Sequence, residues 1–264
     1  MTSTVHTLAL SSGHLDVTVE DQGHGRPFLL LHGGGGPQTL GSFAGLLADE
    51  RPARVVTPVH PGFNGTARPD WLTDAPALAR AYGHLLDALG LTDVTVVGNS
   101  IGGWIAAELA LLGSVRVSGV VLVNAVGIQV PGHPLADVSS LTPAELSALA
   151  YHDPAKFTVD PSTLPETTRA AMAANSATLQ VYSGPHAMQD PTLRERLAKV
   201  THPALVVWGE SDQVVDTDYG RAYAAAIPGS RFELLHQSGH LPQLETPAEL
   251  LELVWEFTET QMTR

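Results

Sequence analysis

The sequence predicts an α/β domain: a mostly parallel sheet flanked by helices, with a helical insertion riding on it. Three observations lead there. Short apolar runs recur at residues 28–31, 94–97, 120–123 and 205–208, and strands apolar at every position belong to sheets covered on both faces. Helix-period segments alternate with these runs, as parallel strands require crossover connections. The alternation lapses between about residues 129 and 190 and resumes at Leu205. One sheet interrupted by an insertion explains this more simply than two separate domains.

Residues 4–10 and 15–20 read as a β-hairpin turned at Ser12-Gly13. The run 28–31 is a strand that stops at His32 and a string of glycines, and 54–57 is another before a Pro/Gly loop. Over 74–89, Leu78, Tyr82, Leu85, Leu86 and Leu89 recur at helical spacing until Gly90 stops them. A strand at 94–97 leads into Gly98-Asn99-Ser100 and a helical stretch over 101–112. Strands at 120–123, 205–208 and 231–235 bring the sheet to eight, and 247 to about 260 forms the last helix. Between them, Pro131, Pro134, Pro143, Pro154, Pro161 and Pro165 punctuate helix-like pieces with no convincing strand. The expected division is a core of 1–128 and 191–264, with 129–190 inserted.

Composition narrows the function. With 264 residues and 44% hydrophobic content the chain is no disordered tract. The 27 acidic against 14 basic residues give a net charge of -13, which repels phosphate backbones, and no basic patch offsets it. Nucleic acid is therefore not an expected partner. The absence of cysteine excludes a disulfide framework, a thiol nucleophile and thiolate metal sites. No histidine pair shows His-x-x-x-His spacing on a predicted helix or a carboxylate cluster beside it, so neither metal nor cofactor is expected. The N-terminus lacks the basic and apolar regions of a signal peptide. The best apolar candidate for a membrane span, residues 119–132, is broken by Gly, Asn and Pro. Asn64-Gly65-Thr66 matches a glycosylation sequon, which is read as chance. The expectation is a cytoplasmic monomer or homodimer acting on a small molecule.

The most informative segment is 94–104, a strand followed by Gly98-Asn99-Ser100-Ile101-Gly102 and a helix. A serine on such a tight turn needs small neighbours, so that strand and helix pass close together. The turn also sets Ser100 at a helix N-terminus, where free N–H groups favour developing negative charge. Four further segments accompany it. They are His32-Gly33-Gly34-Gly35-Gly36-Pro37, His60-Pro61-Gly62-Phe63-Asn64-Gly65-Thr66, and the pair Trp208-Gly209-Glu210-Ser211-Asp212 and Ser238-Gly239-His240.

With these motifs the chain resembles the α/β-hydrolase fold family over essentially its whole length. The resemblance implies a Ser100, Asp212, His240 triad in the chain order this fold uses. A serine hydroxyl is a weak nucleophile until a histidine accepts its proton. His240, in its Ser-Gly-His loop after the last strand, suits that role better than His236. Glu210, Asp216 and Asp218 share the acid region, and it is the family register that selects Asp212. Two oxyanion donors are implied, the N–H of Ile101 and that of Gly34 or Gly35.

The insertion would cap Ser100 and shape the pocket. Tyr151, Phe157, Arg169, Met172 and Tyr182 are its candidate substrate contacts, joined by Asn99 and Leu241 beside the triad. His32 is a further candidate, read first as a packing and hydrogen-bonding residue at the base of its loop. Gly-Asn-Ser-Ile-Gly-Gly with the glycine loop is similar to a subset that cleaves C–C bonds in vinylogous 1,5-diketones. That subset carries Trp after the catalytic His, where this chain has Leu241, and an Asn where this chain reads Gly41-Ser42-Phe43. Relatives with Asp at the elbow are dehalogenases and epoxide hydrolases; this chain has Ser. The expected function is hydrolysis of a carboxylic ester or lactone through an acyl-enzyme. C–C hydrolysis and cofactor-free perhydrolysis are the alternatives, and a non-catalytic ligand binder the remotest.

Overall fold

A computed structural model describes residues 2–138 and 141–262. Eight strands form one sheet: β1 (Thr2–Leu10), β2 (Gly13–Gly23), β3 (Arg26–Leu31), β4 (Ala53–Pro58), β5 (Val94–Asn99), β6 (Val117–Val123), β7 (Ala204–Gly209) and β8 (Arg231–Leu235). Their spatial order is β1-β2-β4-β3-β5-β6-β7-β8. β1 and β2 form an antiparallel hairpin, β2 runs antiparallel to β4, and every later pairing is parallel. The hairpin is longer than its apolar pattern suggests, because exposed residues at both ends still complete the ladder.

Among the described residues ten α-helices pack around the sheet or stand above it: α1 (Gly41–Glu50), α2 (Ala75–Ala88), α3 (Ile101–Leu111), α4 (Pro143–Ala150), α5 (Pro154–Phe157), α6 (Glu166–Ser183), α7 (Leu193–Arg196), α8 (Thr217–Ala226), α9 (Pro242–Glu245) and α10 (Pro247–Met262). The period-two pleat sorts the strand residues. Leu29, Leu31, Val56, Val96, Leu122, Val206 and Trp208 join the core under α2, α3 and α8. Phe28, Leu30, Val55, Val97, Val121, Val123, Leu205 and Val207 join the core under α1 and α10. Both faces are thus covered, which is why these strands read as unbroken apolar runs.

Among the described residues of 129–190 there are helices and no strand. The two ends of this segment meet at its base, where Gly127 bridges Gln189 and the Asp190 N–H donates to the Gly127 carbonyl at 2.7 Å. A segment that leaves and rejoins the sheet at one point can be lengthened or remodelled without disturbing strand order.

Candidate active site

All parallel strands end on one edge, and five of the resulting loops supply the site. β5 runs directly into Ser100, whose φ of 56° and ψ of -119° lie outside the regions open to ordinary residues. Two glycines permit this turn. A Cβ on Gly98 would fall 2.1 Å from the Gly102 carbonyl oxygen, and one on Gly102 would fall 2.1 Å from that of Leu31. The Ser100 carbonyl accepts from the N–H groups of Gly103, Trp104 and Val126, which hold the turn from both sides. As the first residue of α3, Ile101 has no carbonyl one turn back for its own N–H.

The loop after β8 brings His240 Nε2 to 2.9 Å from Ser100 Oγ, and Nδ1 to 2.8 Å from Asp212 Oδ2. A carboxylate can only accept, so Nδ1 carries the proton and Nε2 presents a lone pair to the serine hydroxyl. Ser100 and His240 are each 8% exposed and Asp212 3%. Asp212 is saturated with donors: Oδ1 accepts from the N–H groups of Val214 (2.8 Å) and Val215 (3.1 Å), and Oδ2 from Asn124 Nδ2 at 2.7 Å. Four donors hold it as an oriented anion.

Asn99, adjacent to Ser100, donates through Nδ2 to the carbonyls of His240 (2.9 Å) and Val123 (3.2 Å), and its Oδ1 accepts from Gln243 at 3.1 Å. Its side chain fastens the histidine loop to β5 and β6. Leu241 follows as the residue before α9.

Beneath the glycine string lies a fully buried pair of histidines, with ring centroids 3.7 Å apart. His32 Nδ1 donates to the Gly33 carbonyl at 2.8 Å, while its Nε2 accepts the His60 N–H at 3.0 Å. That pattern is possible only for neutral imidazole. His60 Nε2 in turn donates to the His32 carbonyl at 2.9 Å, and its Nδ1 accepts from the Tyr82 hydroxyl. Burial pushes His32 down to about 4, and pushes His60 well below the ordinary histidine value. His32 therefore sits under the loop rather than in the pocket.

The expected pocket residues of the insertion separate into two groups. Tyr151 and Phe157 stack, with centroids 4.8 Å apart, beside the histidine loop. Burial, followed by the charge of Glu245, raises the Tyr151 hydroxyl above its ordinary value. Tyr182 is fully buried and its hydroxyl donates to the Pro61 carbonyl at 2.7 Å, so it pins α6 to the loop after β4 instead of presenting a free polar group. Arg169 pairs with Glu166 one helical turn away at the surface, and Met172 is 45% exposed. Two residues of α6 reach the glycine string: a Cβ on Gly34 would fall 2.5 Å from Leu179 Cδ2, and one on Gly36 would fall 2.9 Å from Asn175 Nδ2. Asn175 holds Asn64 through two hydrogen bonds, and Thr178 donates to the Gly62 carbonyl at 2.9 Å.

Sequence reasoning did not single out Asn124, Gln243 or Glu245. The one available signal was positional: Asn124 is a polar residue directly following an apolar strand on the edge where Ser100 emerges.

The model of the Alpha/beta hydrolase family matches residues 28–253. The chain belongs to this family. Among curated α/β-hydrolases it is 28% identical over 255 residues to 2-hydroxymuconate semialdehyde hydrolase of Pseudomonas putida, covering 90% of this chain and 89% of that one. It is 29% identical over 257 residues to Lipase 3 of a Moraxella species, covering 91% and 80% respectively. Among solved structures, an esterase from Exiguobacterium antarcticum superposes with a TM-score of 0.77 at 23% identity, over 97% of this chain and all of that one. That last likeness concerns the fold. This α/β-hydrolase is a hydrolase whose relatives include both esterases and C–C bond hydrolases. Among the described residues no helix is long and apolar enough to cross a membrane.

Proposed function

We propose that the protein is a serine hydrolase acting on uncharged carboxylic esters or lactones, with Ser100, His240 and Asp212 as its triad. The observation that carries this reading is His240 standing between Ser100 at 2.9 Å and Asp212 at 2.8 Å, with both protons assignable. Ser100 Oγ attacks the ester carbonyl while His240 Nε2 takes its proton. Asp212 keeps the imidazole in the required tautomer and stabilises it once charged. His240 then protonates the leaving alkoxide and the acyl group stays on Ser100. Water, deprotonated by the same histidine, releases the acid and restores the hydroxyl.

The oxyanion donors are the N–H groups of Ile101 and Gly34. The Gly33 carbonyl is held by His32 and by the Gly36 N–H at 3.1 Å. In a trans peptide the following N–H points the opposite way. That supports Gly34 over Gly35 as the second donor, on a loop where a Gly33 Cβ would lie 3.2 Å from Ser100 Cβ. Residues 129–190 serve as the cap, with Leu179 closing the pocket above Gly34.

Charge favours esters over the acids that the C–C hydrolases cleave. The Pseudomonas putida relative is named for a muconate, a carboxylate. Lys156 and Arg169, the cations of residues 129–190, are bound at the surface by Asp153 and Glu166, and Arg68 gives Nη1 to the carbonyls of Pro69 and Leu72. Each is engaged through the contacts named, which weighs against its receiving a substrate carboxylate. The test is turnover of p-nitrophenyl acetate by wild type and Ser100→Ala, with fluorophosphonate labelling of Ser100. Loss of both in the variant supports the reading. A wild-type protein inert to both, or one that turns over a dienolic diketone acid and no ester, overturns it.

A further inference from the structure

Glu245 ends α9, five residues beyond His240. Its Oε2 accepts the N–H of Gly239 at 2.6 Å, and its Oε1 accepts those of His152 at 2.8 Å and Asp153 at 3.3 Å. Gly239 immediately precedes His240; His152 and Asp153 join α4 to α5. One carboxylate therefore ties the backbone beside the histidine to the α4–α5 junction of the insertion. Hydrogen bonds from backbone amides to an ionised acceptor are about twice as strong as neutral ones.

The junction is reinforced on all sides. Carbonyls left open at the end of α4 accept from the two functional loops: Ala150 from the His240 N–H at 2.6 Å and Leu149 from the Gln213 N–H at 3.0 Å. His152 Nδ1 lies 2.8 Å from Ser211 Oγ, one residue before Asp212. The histidine loop is threaded so tightly that a Cβ on Gly239 would fall 2.3 Å from the Ala150 carbonyl oxygen. With no side chain to wedge it, the orientation of residue 239 depends on its hydrogen bonds.

We propose that Glu245 is a positioning residue for His240: it fixes the backbone from which the imidazole projects, by locking residue 239 to the α4–α5 junction. This rests on the triad reading above. It also divides the insertion by task. The α4–α5 part is built into the frame that holds the histidine and acid loops, while α6 covers the glycine string.

The test compares wild type, Glu245→Gln and Glu245→Asp by p-nitrophenyl acetate kinetics, thermal unfolding and the downfield proton resonance of the His240 Nδ1–H. Gln keeps the shape but has one acceptor oxygen, so its NH2 must oppose a backbone N–H. A folded Gln variant should lose about 10- to 100-fold in kcat, with KM within about twofold of wild type. Its downfield resonance should shift or broaden, and Asp, which keeps the charge, should fall between. Wild-type kcat and resonance in a folded variant, with lowered stability alone, would reduce Glu245 to a brace and overturn the proposal. If the Gln variant does not fold, the Asp variant decides by the same readings. A wild-type protein that neither turns over the ester nor takes up fluorophosphonate overturns the triad reading instead.

Discussion

Asn124 Nδ2 lies 2.7 Å from Asp212 Oδ2, the same oxygen that receives the His240 Nδ1–H. Asn124 directly follows β6 with a left-handed φ of 46°, is fully buried, and also accepts the Gly209 N–H at 3.3 Å through Oδ1. It therefore links the end of β7 to the acid. Asn124→Ala removes a buried donor to an anion, a contact worth about 1.5–3 kcal/mol. The expected outcome is a fall of that size in unfolding free energy, read by urea denaturation. A loss of about tenfold in kcat should accompany it as Asp212 gains freedom.

The neutral histidine pair under the glycine string predicts a specific acid sensitivity. His32 titrates at about 4 in the fold against 6.5 in the unfolded chain. Above pH 6.5 neither state is protonated there and the full stabilisation is present. Between pH 6.5 and 4 the unfolded state binds the proton and the native state does not, so stability falls as pH falls. Below about pH 4 this contribution levels off. The window corresponds to about 3 kcal/mol for His32, with His60 acting in the same direction. Thermal unfolding between pH 4 and 7 should show this slope, and His32→Asn should flatten it. An unchanged slope in the variant would move the acid sensitivity elsewhere.

The strands were legible because a sheet covered on both faces writes itself as unbroken apolar runs, and the elbow because Gly98 and Gly102 are forced by backbone contact. Helices α1 and α8 were not placed: Gly41, Gly45 and Gly220 lower local helix propensity, and packing supplies what propensity lacks. Gly220 lies directly under the Trp208 ring, where a Cβ would come within 2.4 Å. The residues that hold Asp212 and the His240 loop were hidden for another reason. Asn124 and Asp212 stand 88 positions apart, and Glu245 and His152 93 apart. A single Asn or Glu has no pattern until the loops are brought together. The pocket residues of the insertion were equally hidden, since Tyr182 and Leu179 lie on one helix and only contact tells anchor from lining.

The two glycine environments predict opposite outcomes for one substitution. Gly98→Ala places a methyl 2.1 Å from the Gly102 carbonyl oxygen, so the elbow must shift and soluble, active protein should not be recovered. At Gly83 in α2, the same methyl meets Leu109 and Leu112 at 3.8 Å, ordinary contact. Gly83→Ala should therefore raise stability by about 0.5–1 kcal/mol through helix propensity and leave kcat unchanged. Thermal melts of both variants with p-nitrophenyl acetate assays check the contrast.

Leu179 fixes the ceiling over Gly34, so its size should set which acyl groups are accepted. Its Cδ2 stands 2.5 Å from where a Cβ of Gly34 would be, which makes it the α6 side chain nearest the proposed oxyanion donor. It is only partly buried and packs at the margin of the core. Leu179→Ala should therefore cost less than the 2–5 kcal/mol typical of a fully buried leucine, about 1–2 kcal/mol. Removing the isopropyl group opens volume above the glycine string without touching Ser100, His240 or Asp212. The ratio of kcat/KM for p-nitrophenyl octanoate to that for the acetate should rise by about 10-fold, the discrimination a few methylenes confer in an apolar pocket. Acetate turnover should stay close to wild type, because the small acyl group never reached the leucine. An unchanged ratio would place the acyl group elsewhere, with the stacked Tyr151 and Phe157 as the next wall to truncate.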